Sequence, residues 1–472
     1  MLVLALLILP FAFVLCVAIL TPPQYSNTFV GALDEKYERL HSIEEDKIVV
    51  VGGSSVAFGL DSQLVEEWTD MPVVNFGLYA ALGTKLMLDL SRSAISAGDV
   101  VVIAPELDPQ TLSLYFSSEQ TLNAIDGNFS MFWDIANENK FSVLGGMWDL
   151  ATDKLKRIAS GELLNPDGVY NSASLNEYGD VIYPRPENVM EAYYDENTKI
   201  LLSREVIDEA FVDYLNEYIA FCKERGATVI FSWCPMNELA VEIGEEFKSA
   251  SEFSDYLDSI LDCDVYGDIN NYIMDAGYFY DTNYHLNDSG VIKRSVELAR
   301  DVLFALEIPR AVLVDVPEAP ALPNADTKFD GEDINSIYFT YEQRANGSYK
   351  ITGLSAEGLK RFSVTIPLGY NGYKVTAIGE GAFSKGSLSE VIIPEDTNIR
   401  IIENGAFSGA STISKLTIYY PVADDIIPPV DFFGTNSDFK IYVPQDSNYD
   451  VQYNWVEVKA IKRILTHIKV GE

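Results

Sequence analysis

The stretch KIVVVGGSSVAFGLD (47–61) runs from a β-rich apolar segment into two glycines and two adjacent hydroxyls, Ser54 and Ser55. In an open α/β sheet ligands sit beyond the carboxyl ends of the strands, so a serine on the turn after the first strand stands at the edge where chemistry is done. If a helix begins near Val56 or Ala57, its free N–H groups and dipole stabilise negative charge developing beside the serine. A serine hydroxyl is a weak nucleophile until a base within hydrogen-bond reach takes its proton. The chain has three histidines. His41 lies in a polar segment before the first strand and His467 in the terminal tail, which leaves His285, in YFYDTNYHLNDSG (278–290). Asp281 precedes it by four residues, and a nearby carboxylate can select the imidazole tautomer and stabilise the imidazolium. Serine, histidine and aspartate together specify acyl transfer. Each also has a structural reading: Gly-Ser-Ser as a helix-capping turn, His285 as a capping polar residue, Asp281 as a turn-forming Asx residue. A phosphate-binding reading of GGSSVAFG fails, because it lacks both the Walker lysine and the GxGxxG spacing.

These residues must be held by a sheet. IVVV (48–51), VVNF (73–76), VVVIA (100–104) and TVIFSW (228–233) are continuous apolar runs, as expected of strands buried on both faces of a parallel sheet. Helical segments lie between them; SREVIDEAFVDYLNEYIAFCKERGA (203–227) carries apolar residues at three- and four-residue spacing and stops at Gly226. The pattern predicts a doubly wound α/β domain over 46–307. Residues about 110–200 interrupt the alternation with an aromatic-rich insertion (Phe132, Trp133, Trp148, Tyr170, Tyr183) that reads as a cap over one end of the sheet.

With 472 residues, 48% of them hydrophobic, the chain is long enough for two or more domains. A net charge of −38 without any basic run excludes a nucleic-acid binder. MLVLALLILPFAFVLCVAIL (1–20) is apolar throughout and TPP stops it, which predicts a transmembrane anchor over 1–22 followed by a juxtamembrane linker over 23–45. A cleaved signal peptide is the competing reading, disfavoured by the absence of a basic n-region. No Lys or Arg precedes the span to set its orientation, and the acidic body after it reads as extracytoplasmic at a cell membrane. Cys222, Cys234 and Cys263 show neither CxxC nor Cys/His metal spacing, so neither a metal nor a cofactor is expected. They read as small buried hydrophobes, with a Cys222–Cys234 pair open if a helix and the next strand bring them together.

After the Pro- and Ala-rich linker 308–335 the texture changes. AIGEGAFSKGSLSEVIIPED (377–396) is echoed by IIENGAFSGASTISKLTIYY (401–420), and VDFFGTNSDFKIYVP (430–444) is a degraded third copy, so that Phe383, Phe407 and Phe433 recur at nearly constant spacing. Such a period marks a solenoid in which each unit buries its Phe and Ile against the next. The GAFS-plus-strand pattern resembles the BspA-type leucine-rich repeats of bacterial surface proteins over 336–460, with a tail at 461–472. The resemblance implies a small β-rich module for surface attachment or protein contact.

GxS after the first strand, NFG after the second, and Asp before His-Leu-Asn-x-x-Gly at the last helix resemble the SGNH (GDSL-type) hydrolase superfamily over 46–306. The GSS variant is similar to that of membrane-anchored members such as the D-alanyl-transfer protein of teichoic-acid modification. The resemblance implies a flavodoxin-like three-layer sandwich, with Ser55 as nucleophile, His285 as base and Asp281 as its orienting acid. It places Ser55 and Gly77 at the oxyanion hole. The third block departs: IAPELD (103–108) puts Glu106 near the position of the usual oxyanion-binding Asn, a loss of about 3 kcal/mol unless Asn75 or a backbone amide replaces that donor. Three residues separate Asp281 from His285 where two are usual, which makes Asp288 the fallback acid. Ser54 and Glu106 are candidate substrate contacts. The expectation is a membrane-tethered esterase or O-acyltransferase acting on an envelope polysaccharide or polymer, partnered by the membrane and by a polytopic acyltransferase that supplies the acyl group. The rival is a catalytically inactive surface scaffold, which the missing Asn favours.

Overall fold

The computed structural model describes residues 2–162, 164–323, 326–428, 439–445, 447, 449 and 465–468. The chain divides into two compact units, one of Met1–Met190 with Thr198–Leu322, the other of Glu191–Asn197 with Pro323–Glu472.

The first unit is built on five parallel strands, β1 (Ile48–Gly52), β2 (Val73–Gly77), β3 (Val100–Ile103), β4 (Thr228–Phe231) and β5 (Asp264–Val265), ordered β2-β1-β3-β4-β5. The apolar runs become strands because residues of both parities are buried: all of β1, β2 and β3 is enclosed. Ile48, Val50, Val73, Val100 and Val102 pack with Val296, Ala299 and Val302 of the helix Asp288–Ala305 on one face. Helices Leu33–Ser42 and Thr84–Ser91 cover the other side of β1 and β2. The strand order reverses between β1 and β3, so the crevice beyond their carboxyl ends is the place for a ligand. Both the Gly-Ser-Ser turn and the IAPELD segment leave the sheet there. The helix expected over 203–227 spans Glu209–Glu224, begun by the Asp208 side chain, which accepts the Ala210 N–H at 2.7 Å, and followed by Gly226 at φ +88°.

One expectation changes. Among the described residues no helix is long and apolar enough to cross a membrane, which corrects the expected transmembrane anchor. Leu2–Leu20 is helical, yet its second half lies on the unit's own surface: Val14 and Ala18 are buried, and Lys154 of the helix Asn137–Ser160 donates to the Ala18 carbonyl at 2.8 Å. Within the linker 308–335, Val312 is buried in the core of the first unit. All four cysteines are free, and Cys222, Cys234 and Cys263 are buried, in line with their reading as small buried hydrophobes; the open Cys222–Cys234 pair does not form. Burial pushes the Cys222 thiol up to about 11 and those of Cys234 and Cys263 up to about 12, which keeps them protonated.

In the second unit one strand from each successive repeat joins a parallel ladder, Ser363–Thr365, Glu390–Ile393, Lys415–Ile418, Lys440–Pro444 and Leu465–Ile468. The repeated GAFS glycines, Gly381 and Gly405, both take positive φ, and the Gly381 N–H donates to the Gly405 carbonyl at 2.9 Å. The Phe383 and Phe407 rings meet at a tilt with centroids 5.0 Å apart, and Phe407 meets Phe439 at 5.8 Å, which carries the apolar column along the solenoid. Phe433, the expected third member, lies outside the described residues. The segment Glu191–Asn197 is held in this unit by ion pairs from Arg344 to Glu191 and Glu196, both at 2.5 Å.

Candidate active site

Beyond β1 the chain turns sharply into the short helix Ser54–Ala57. The turn is tight: a Cβ on Gly53 would lie 2.2 Å from Glu106 Oε2, so a side chain there would displace the Glu106 carboxylate. Gly77, at the end of β2, is equally constrained, since a Cβ there would sit 2.3 Å from Val56 Cβ and 2.7 Å from the Gly53 carbonyl. Ser54 therefore starts a helical turn at the carboxyl end of the sheet, with 8% of its surface exposed.

His285 arrives from the loop before the helix Asp288–Ala305. Its Nε2 lies 2.8 Å from Ser54 Oγ and its Nδ1 lies 2.8 Å from Asp281 Oδ1. The three-residue spacing does not move the carboxylate off the imidazole, because the His285 N–H donates to Thr282 Oγ1 at 3.0 Å and closes the loop around the additional residue. Asn287, unassigned from the sequence, fixes the loop: its Nδ2 donates to the Gly277 carbonyl at 2.6 Å and its Oδ1 caps the following helix by accepting the Gly290 N–H at 3.0 Å. Phe58 lies flat on the imidazole, with centroids 3.9 Å apart and planes 8° from parallel. Such a contact restrains the ring and adds about 1 kcal/mol beyond simple burial. Burial pushes the Asp281 carboxyl up, but the hydrogen bond and charge of His285 and the hydroxyl of Tyr170 outweigh it and hold the group below the usual carboxylate value.

No family model, curated protein or solved structure matches the chain.

The site differs from the expected one in who faces whom. The structure brings His285 to Ser54 and not to Ser55, whose buried Oγ has no hydrogen-bond partner among the described residues. Ser55 contributes its amide instead, donating at 2.7 Å to Glu106 Oε1. Asn75 does not point at the serine: its Nδ2 donates to the Val56 carbonyl at 2.9 Å and to Asp180 at 2.8 Å. The Gly77 N–H donates to Asn75 Oδ1 at 3.3 Å, so that amide is not left for an oxyanion. Asp288, the fallback acid, accepts the Arg185 N–H at 3.1 Å and leaves the histidine to Asp281. Asn75 belongs to a buried network in which Lys36 donates to the Asn75 and Gly179 carbonyls at 3.0 and 2.6 Å, and burial brings the Lys36 ammonium down to about 7.

Glu106 is buried behind the turn. Its Oε1 is taken by the Ser55 amide, while Oε2 has no partner among the described residues. Arg294, fully buried, donates through Nη2 to the Trp233 carbonyl at 3.2 Å, and its Nε and Nη1 have no partner among the described residues. Both side chains act on the Cys234 thiol: after burial, the Glu106 charge is the largest influence raising it, and Arg294 lowers it.

Proposed function

We propose that the chain is a serine esterase or O-acyltransferase in which Ser54 is the nucleophile, His285 the base and Asp281 the acid that orients it. The observation that carries this reading is the continuous hydrogen-bonded line from Ser54 Oγ through both nitrogens of His285 to Asp281 Oδ1, each step at 2.8 Å. His285 Nε2 takes the Ser54 proton as Oγ attacks the ester carbonyl; Asp281 stabilises the resulting imidazolium. The amide of Ser54, at the start of its helical turn, supplies a backbone donor to the new oxyanion. His285 then returns the proton to the departing alcohol. The acyl-serine is released to water in hydrolysis or to a second hydroxyl in transfer, with His285 again accepting the incoming proton. The likeness of the GSS and His-Leu-Asn motifs to envelope-polymer acyl-transfer proteins supports a glycan or polymer hydroxyl as the acceptor.

A fluorophosphonate probe tests this on the full chain. Labelling is expected for the wild type and absent from Ser54→Ala and His285→Ala, in parallel with hydrolysis of p-nitrophenyl acetate. A wild-type chain that neither labels nor turns over ester would remove the proposal. It would leave the second reading, a recognition protein built on an inactive hydrolase fold, which the Glu106 carboxylate favours by holding the Ser55 amide at the turn where a donor to the oxyanion is usual.

A further inference from the structure

His285 uses one oxygen of Asp281, and the other is also occupied. Oδ2 accepts the Tyr170 hydroxyl at 2.7 Å. Tyr170 belongs neither to the sheet nor to the histidine loop; it ends the turn Gly168–Tyr170 in the insertion. Its place is built from several sides. Its ring meets Phe29 edge-on at 5.8 Å and Phe58 at 5.9 Å, the same Phe58 that lies on His285. Its carbonyl accepts the Phe29 N–H at 2.8 Å, and the Ser172 N–H donates to the Asn27 carbonyl at 3.1 Å, so the segment after the N-terminal helix straps the turn down.

A carboxylate held by one donor can rotate about its Cβ–Cγ bond and carry its charge away from the imidazole. A second donor from a fixed ring removes that freedom, and a hydrogen bond to a charged group is among the stronger kinds. The phenol keeps its proton for the purpose, since burial and then the Asp281 charge push its ionisation far above the ordinary tyrosine range. We propose that Tyr170 is a positioning residue, whose hydroxyl locks the Asp281 carboxylate so that Oδ1 stays on His285 Nδ1 and Nε2 stays on Ser54. This rests on the Ser54–His285 reading above and adds to it a part supplied by the insertion.

Tyr170→Phe keeps the ring against Phe29 and Phe58 and deletes only the hydroxyl. With p-nitrophenyl acetate as probe, kcat is expected to fall about tenfold with KM changed less than about twofold. In a double-mutant cycle, Tyr170→Phe added to Asp281→Asn should cost almost nothing, because the hydroxyl acts only through that carboxylate. A purely structural tyrosine would lower both backgrounds alike, and that result, or wild-type turnover in Tyr170→Phe, would overturn the proposal. The low-field proton resonance on His285 Nδ1, assigned by its loss in His285→Ala, gives a readout independent of turnover. It should move in Tyr170→Phe. If the wild type hydrolyses no ester, the esterase reading fails by itself, and this resonance alone decides Tyr170: movement sustains the positioning contact and an unmoved line removes it.

Discussion

Ser54 Oγ stands 2.8 Å from His285 Nε2, whereas the hydroxyl of Ser55, one residue along the same helical turn, is buried without a partner among the described residues. Adjacent residues of a helix point about 100° apart, so one imidazole can serve one of them. What Ser55 provides is its N–H to Glu106, and alanine carries the same N–H. Ser55→Ala should therefore keep probe labelling at the wild-type level. Because it removes an unsatisfied buried hydroxyl, its unfolding free energy should be unchanged or raised by up to about 1 kcal/mol. Labelling lost in Ser55→Ala and retained in Ser54→Ala would exchange the two roles.

Much of this site could be read from the chain, for physical reasons. Runs such as Val49–Val51 and Val100–Ile103 are continuous because parallel strands are covered on both faces. His285 could be found because the chain has three histidines and the other two sit in unsuitable segments. The choice between Ser54 and Ser55 could not, since it depends on the direction in which one short turn leaves the strand. The engagement of Asn75 is not visible in the sequence, because its partner Asp180 is distant along the chain and the motif position says nothing of a buried acceptor. In the sequence Tyr170 is one aromatic among several in the insertion; the fold, with Phe29 and Phe58 against its ring, sets it beside Asp281. The apolar opening stretch reads as a membrane span from composition, but composition does not reveal Lys154 reaching the Ala18 carbonyl.

Asp301, on the helix Asp288–Ala305, is buried against the hydroxyls of Tyr272 and Ser232. Burial pushes its carboxyl up to about 6, with Glu297 adding to the shift. A carboxyl whose folded value lies above its unfolded value binds its proton more tightly when folded. Its contribution is thus complete below about pH 4 and is lost as pH rises through about 6. The full loss is about 3 kcal/mol. Asparagine has no proton to lose, so the stability of the wild type relative to Asp301→Asn should decline by that order between pH 4 and 7 in urea unfolding. A gap that is equal at the two pH values would show that the carboxyl does not titrate in this window.

Phe407 is fully buried between Phe383 and Phe439 in the repeat unit. Phe407→Ala removes the ring from both contacts at once and should cost about 4 kcal/mol. Phe362, in the same unit, keeps 76% of its surface exposed, and Phe362→Ala should stay within about 0.5 kcal/mol. Calorimetry of the full chain distinguishes them: the transition assigned to the repeats should fall sharply for the first variant and hold for the second. Equal shifts would mean that the aromatic column does not carry the solenoid.

Glu106 presents the sharpest chemical question in the site. Its Oε1 holds the Ser55 amide and its Oε2 is buried and unpaired among the described residues, at the switch point of the sheet. In the proposed esterase, an ionised carboxylate here would oppose the negative charge forming on a substrate oxygen beside Ser54. Glutamine has the same shape: its carbonyl oxygen can go on accepting the Ser55 N–H, while its NH2 group replaces a repelling oxygen with a donor. Loss of that charge removes the repulsion without requiring contact, so Glu106→Gln should raise kcat for p-nitrophenyl acetate by about tenfold. Glu106→Ala, which leaves the Ser55 N–H without its acceptor, should lower both kcat and stability. A fall in kcat for Glu106→Gln comparable to that of Glu106→Ala, at unchanged melting temperature, would mean that the carboxylate itself takes part in the reaction rather than restraining it.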